Sequence, residues 1–182
     1  MAPKTELIGY LQEKCQLHPG FSWTCLSGGA LLDVGIRSGA WGFSASEQTA
    51  TIFDTGKARF DSTTIPTMAQ SVVSVLQKPA DSTNQYLSIR SFIVSQSEIL
   101  AALEDITRTK WRVSYVDAEN LRQEGWRLLA GGNPKQGIEG IIRGALFQGQ
   151  RDISVPQDAL ANTRLGLPTT DLRGYLEIMV KS

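Results

Sequence analysis

Apolar residues recur along this chain at two spacings, and the switching between them lays out its elements. Leu7, Leu11 and Cys15 share one face of a helix predicted over residues 3–16. Pro3 suits its first turn, and His18-Pro19-Gly20 stops it, because proline cannot continue a helix and glycine tolerates positive φ. Residues 22–27 read as a buried strand. The glycines at 28, 29, 35, 39 and 42 then punctuate a long loop or a short helix. Residues 49–53 are β-branched and aromatic, which predicts a strand. Pro66 opens a helix with Met68, Val72, Val75 and Leu76 on its apolar face, closed by Lys78-Pro79. A strand is predicted over 86–93, and Ser95 or Ser97 caps the helix after it; Ser95 and Glu98 have the capping-box spacing. Ile99, Leu100, Leu103 and Ile106 form that helix's buried stripe. A strand over 111–116 leads to Asp117, a cap for a helix over 118–129, followed by a helix over 136–147. The last helix follows Asp171 and carries Leu172, Tyr175, Leu176 and Met179 at helical spacing.

Strands alternating with helices predict an α/β fold with a largely parallel sheet. The 182 residues fit one domain or a large part of one, and such a chain buries roughly 70% of its unfolded surface. No repeat interrupts it, and the weakest stretch for a boundary is 130–137, where Gly131-Gly132-Asn133-Pro134 makes a loop.

Composition narrows the function. Hydrophobic residues are 41% and charged residues 20%, as in globular proteins. Lys+Arg and Asp+Glu are 18 each, so no basic excess points to nucleic acid, and a net charge of zero permits self-association. Two cysteines, Cys15 and Cys25, make neither a disulfide framework nor a zinc motif. No apolar run is long enough to span a membrane and no signal peptide is visible, so the chain reads as soluble and cytoplasmic.

The candidate chemistry is sparse. A dinucleotide-binding turn needs G-x-G-x-x-G between a first strand and its helix, so that the pyrophosphate sits on the helix N-terminus. Gly35, Gly39 and Gly42 lack that context, and Gly137, Gly140 and Gly144 fall inside a predicted helix; turns and helix packing explain both sets. His18, the single histidine, stands in a turn with no triad around it, and Glu47, Asp54 and Asp61 have no metal-cage spacing. Thr63 and Thr64, at a strand end, either cap the Pro66 helix or line a pocket. Trp23, Trp41, Trp111 and Trp126 read as core or pocket walls, with Trp41 and Trp126 also suited to face a flat hydrophobic ligand.

Several segments together resemble the later half of the NmrA-like and isoflavone-reductase-like family of Rossmann-type NAD(P)-binding proteins. Ser27-Gly28-Gly29-Ala30-Leu31-Leu32-Asp33 resembles the family's T-G-P-F-F-D, with Ala30 in place of the proline and Leu31-Leu32 in place of the aromatic pair. Thr63-Thr64-Ile65 resembles its strand-to-helix threonine segment. Ser95 to Leu100 resembles T-Q-N-E-L-L, Trp111-Arg112-Val113 resembles K-W-E-V, and residues 165–172 resemble the closing L-G-L-P-x-x-D-L of a fungal branch. The run from Lys4 to Lys14 resembles the helix that carries the family's catalytic lysine, with Ile8 where a basic residue is common.

The resemblance implies a partial Rossmann-like sheet with a C-terminal substrate-binding subdomain, here one domain over 1–182 without the glycine-rich half. It implies Lys4 as catalytic residue, a cation that stabilises negative charge developing on the acceptor. It implies Ser27, Gly28 and Gly29 beside the nicotinamide, and Leu31, Leu32, Trp41 and Thr63 around the substrate. NADPH or NADH is the implied cofactor, no metal is expected, and a small apolar or aromatic metabolite of secondary metabolism is the implied substrate. A non-catalytic regulatory protein and an inactive fragment are the alternatives. A sheet lacking its first strands would expose an edge, which a second copy or another polypeptide would cover.

Overall fold

The computed structural model describes the backbone of residues 2–181 and the side chains of residues 6–181. Seven α-helices and eight short strands alternate along it. Helix α1 (Ala2–Leu17) leads to β1 (Thr24–Ser27), β2 (Ala30–Leu31), α2 (Leu32–Arg37), β3 (Phe43–Ser44), β4 (Thr49–Phe53) and β5 (Phe60–Thr63). Then come α3 (Ile65–Gln77), β6 (Gln85–Ser88), β7 (Phe92–Val94), α4 (Gln96–Thr107), β8 (Arg112–Val116), α5 (Ala118–Ala130), α6 (Pro134–Phe147) and α7 (Leu172–Lys181). β1 pairs with β6, β2 with β5, and β4 with β8, all parallel, whereas β3–β4 and β5–β7 are antiparallel. The chain is thus α/β, with parallel pairing made by crossovers through helices.

The main core is aromatic. Phe53 stacks on Phe147 at 5.0 Å between ring centroids, and Phe60 meets Phe147 edge-on at 5.4 Å. Ile99 and Leu103 of α4 and Leu176 of α7 are fully buried against it. A smaller cluster, Leu87, Ile89, Ala161 and Leu165, packs with Leu26, Met68 and Val75.

Two buried polar side chains hold the core strands in place. Gln96 accepts from the Phe53 N–H at 2.9 Å and donates to the carbonyls of Trp41 and Thr51 at 2.8 and 3.0 Å. Arg90 donates to Asp61 Oδ1 at 2.9 Å, to the Val155 carbonyl and to Gln157, while Asp61 Oδ2 accepts from the Val155 N–H at 2.7 Å. This pair, less than a tenth exposed, fastens the strandless segment after α6 onto the sheet. Asp54 closes the base of the α5–α6 hairpin: its two carboxylate oxygens accept from the N–H groups of Ala118 and Gly149, each at 2.7 Å.

The structure corrects several expectations. The strand predicted over 86–93 is two strands in different sheets, because Ile89-Arg90-Ser91 turns aside where Arg90 enters its clamp. Residues 28–42 hold the expected short helix, α2, with turns after it, and add the two-residue strand β2 before it. On α3 the buried positions are Thr67 and Ser71, while Val72 and Leu76 of the expected apolar face are exposed, Leu76 at 73%. Leu7 of α1 is also exposed, β1 is half-buried, and all five residues of β8 face solvent.

Candidate functional site

Five of the residues singled out in the sequence, Ser27, Gly28, Gly29, Leu31 and Thr63, meet at one strand-to-loop junction. β1 ends at Ser27, whose carbonyl accepts from the Ile89 N–H at 2.9 Å. Gly28 and Gly29 then step the chain across to β2, which pairs Ala30 with Ser62 and Leu31 with Thr63. Gly29 adopts φ +64°, and a Cβ there would run into the Asp61 carbonyl, so the step requires glycine. A Cβ on Gly28 would meet the Met68 methyl and lie 3.1 Å from Thr63 Oγ1. Ser27, Gly29 and Leu31 therefore form the accessible part of one wall, backed by the buried Gly28 and Thr63, with Met68 of α3 set over Gly28.

Leu32 and Trp41, expected at the substrate, lie elsewhere. Both are core residues: Leu32 is fully buried, and Trp41 sits edge-on to Phe60 at 5.2 Å and to Phe147 at 6.3 Å. Trp126 is half-exposed on α5. Lys4 stands on α1, and its side chain lies outside the described residues. His18 is exposed in the turn after α1.

Behind the wall runs a polar network. Thr64 is the N-cap of α3, its hydroxyl accepting from the Thr67 N–H at 3.2 Å and donating to Thr67 Oγ1 at 2.9 Å. Ser91 donates to Thr67 Oγ1 at 3.0 Å and accepts from the Thr64 N–H at 3.3 Å. Thr63 instead turns its hydroxyl to the Ile89 carbonyl. Asp33, in the first turn of α2 and only 7% exposed, accepts from the Ile65 N–H at 2.7 Å and from the Tyr175 hydroxyl at 2.6 Å. Burial, followed by the adjoining Asp33 carboxylate, pushes the Tyr175 phenol up to about 12, so it remains a proton donor at neutral pH. Ser62 Oγ is buried without a partner beside this network.

Sequence reading named Asp33 only as the end of a motif and Tyr175 only as a helix-face residue. Nothing local in the sequence pairs two positions so far apart.

The arrangement suits orientation and hydrogen bonding. Among the described residues no group of three His, Cys, Asp or Glu side chains is placed to hold a metal ion. No helix among them is long and apolar enough to cross a membrane. Two surface depressions of about 400 and 310 Å³ lie beside α4 and at the end of α3, and neither is lined by residues 27–33.

No family model matches the chain. It is similar to the oxidoreductase aprR of Aspergillus flavus, with 36% identity over 179 residues, which is 98% of this chain and 59% of that protein. It is also similar to the oxidoreductase poxI of Penicillium oxalicum, 32% identical over 120 residues, 65% of this chain and 38% of poxI. The chain thus spans well under two thirds of the length of these relatives. Among solved structures, AtPrR2 with NADP+ and (+)-pinoresinol superposes with a TM-score of 0.67 at 17% identity, covering 97% of this chain and 55% of that one. A nucleoside-diphosphate-sugar epimerase from Staphylococcus aureus gives 0.57 at 16% identity, covering 93% and 56%. The chain shares the Rossmann-like α/β fold of these two structures.

Proposed function

We propose that this chain is the substrate-side portion of an NAD(P)H-dependent reductase of the NmrA-like and isoflavone-reductase-like type. The carrying observation is that its likeness to the oxidoreductase aprR runs over nearly its whole length. The clustering of Ser27, Gly28, Gly29, Leu31 and Thr63 at one junction supports the same reading. In it, the Ser27–Gly29 backbone borders the nicotinamide and Lys4 stabilises charge on the acceptor. Leu31 faces a small apolar or aromatic metabolite, and the buried Thr63, Leu32 and Trp41 support it from behind. Hydride transfer is the cofactor's chemistry; these residues bind and orient. The fungal oxidoreductase relatives favour a role in secondary metabolism, and the reading places the protein in the cytoplasm.

The cofactor's phosphates require a glycine turn on a helix N-terminus, and no segment of 1–182 has that pattern in the required context. In this proposal they are held by a further segment or a partner polypeptide that pairs with the outer edge of β1, whose other edge is taken by β6. Titration of the purified chain with NADPH tests the proposal. Weak, saturable enhancement of nicotinamide fluorescence is expected only at high cofactor concentration, because the chain supplies the nicotinamide side alone, and a flat response up to millimolar cofactor overturns it for the chain alone.

A second reading, a non-catalytic regulatory protein, is favoured by the exposed Val72, Val73 and Leu76 on α3, which suit a protein partner. A stable complex without turnover distinguishes it from the first.

A further inference from the structure

The last helix reaches the candidate site through the Tyr175 hydroxyl, which donates to Asp33 and also lies in hydrogen-bond reach of Thr64. Asp33 is a nearly buried carboxylate whose described partners come from two remote elements: the Ile65 N–H at the start of α3 and the Tyr175 hydroxyl on α7, 142 residues along the chain. It follows directly on β2 and Leu32, so any shift of the carboxylate moves the end of the Ser27–Leu31 wall. Through Ile65 it also meets Thr64, which continues the strand carrying Thr63 and donates into the Thr67–Ser91 hydroxyl set. A buried carboxylate that loses a donor pays its desolvation cost without compensation, so its loop relaxes toward water. On its other side α7 is held by Leu176 in the core and by Arg173, which donates to Asp105 of α4 at 2.8 Å. Residues 166–171, before it, are exposed or half-buried.

We propose that Tyr175 is a positioning residue of the candidate site: through Asp33, α7 acts as a clasp that sets the Ser27–Leu31 wall and the start of α3. This goes beyond the reductase reading, though the wall's use by a ligand rests on it.

Hydrogen exchange by mass spectrometry on the full chain, without cofactor, tests the clasp. Tyr175→Phe keeps the ring and removes only the hydroxyl. Amides in 28–36 and 64–68 are expected to exchange about tenfold faster, while those of β4 and the α5–α6 hairpin keep their rates. A hydroxyl that merely adds stability raises exchange across all core amides together, and either that pattern or no change overturns the proposal. Asp33→Asn in the Tyr175→Phe background is expected to add less than the sum of the two single effects at 64–68; full additivity also overturns it. Because no cofactor is present, failure of NADPH binding leaves this outcome readable.

Discussion

Gln96 shows how much one side chain holds at the residue scale. It is fully buried, and its amide satisfies three backbone groups, two on β4 and one in the loop at Trp41. Replacing it by Leu keeps the volume and leaves those groups without partners, each costing about 1–3 kcal/mol. We expect Gln96→Leu to lower unfolding stability by roughly 3 kcal/mol or more in urea titration, with no change in the denaturant slope. The local devices were legible in the sequence. Ser95 and Glu98 form the capping box read from their spacing, and Asp117 caps α5 as expected. Each acts within three residues, which is the range over which sequence order and spatial order coincide. Asp61–Arg90, Asp54 with Ala118 and Gly149, and Asp33–Tyr175 join positions from 29 to 142 residues apart. Their partners are chosen by the fold, so composition and periodicity carry no trace of them.

Among the elements, the α5–α6 hairpin is packed through glycine. A Cβ on Gly125 would lie 2.7 Å from the Gly137 carbonyl and from the Ile141 nitrogen, so the two helix backbones are in contact there. The glycines in 136–147 were read as helix packing, and the structure bears this out. Gly125→Ala improves helix propensity by about 1 kcal/mol, yet forces the pair apart at a cost of about 1–3 kcal/mol. We expect a net loss of stability, measured by thermal melting; a gain would refute backbone contact. The same helix start responds to acid. Arg122, then Gln123, hold the Glu119 carboxyl down at about 2. Its folded value is depressed, so its contribution is complete above about 4.5 and is lost as pH falls toward 2. Amide exchange in the first turns of α5 is therefore expected to quicken over that window, and Glu119→Gln to flatten the response. On α3 the sequence showed apolar residues at helical spacing but not which of them the rest of the chain would cover. Val72 and Leu76 stay 42% and 73% exposed, because the described residues cover them only in part.

For the molecule as a whole, the candidate wall adjoins both clusters of buried residues: Ala30 and Leu32 belong with the larger, Leu26 and Met68 with the smaller. The architecture was readable from alternation alone, and the break between β1 and β2 from the glycines that join them. The division of the pairing into three short sheets was not, because it follows from the Arg90 clamp and the turns around it. Asp54 has a further consequence at this scale. One carboxylate spans the entry to α5 and the exit from α6, so an excursion of some thirty residues leaves and rejoins the body at nearly one point. An insert anchored this way can be lengthened or trimmed in matched helical turns without moving the strands beneath it. The outer turns of the hairpin, where Trp126, Ile138 and Ile142 face solvent, thus hang from a base closed by a single carboxylate, apart from the wall between Ser27 and Thr63.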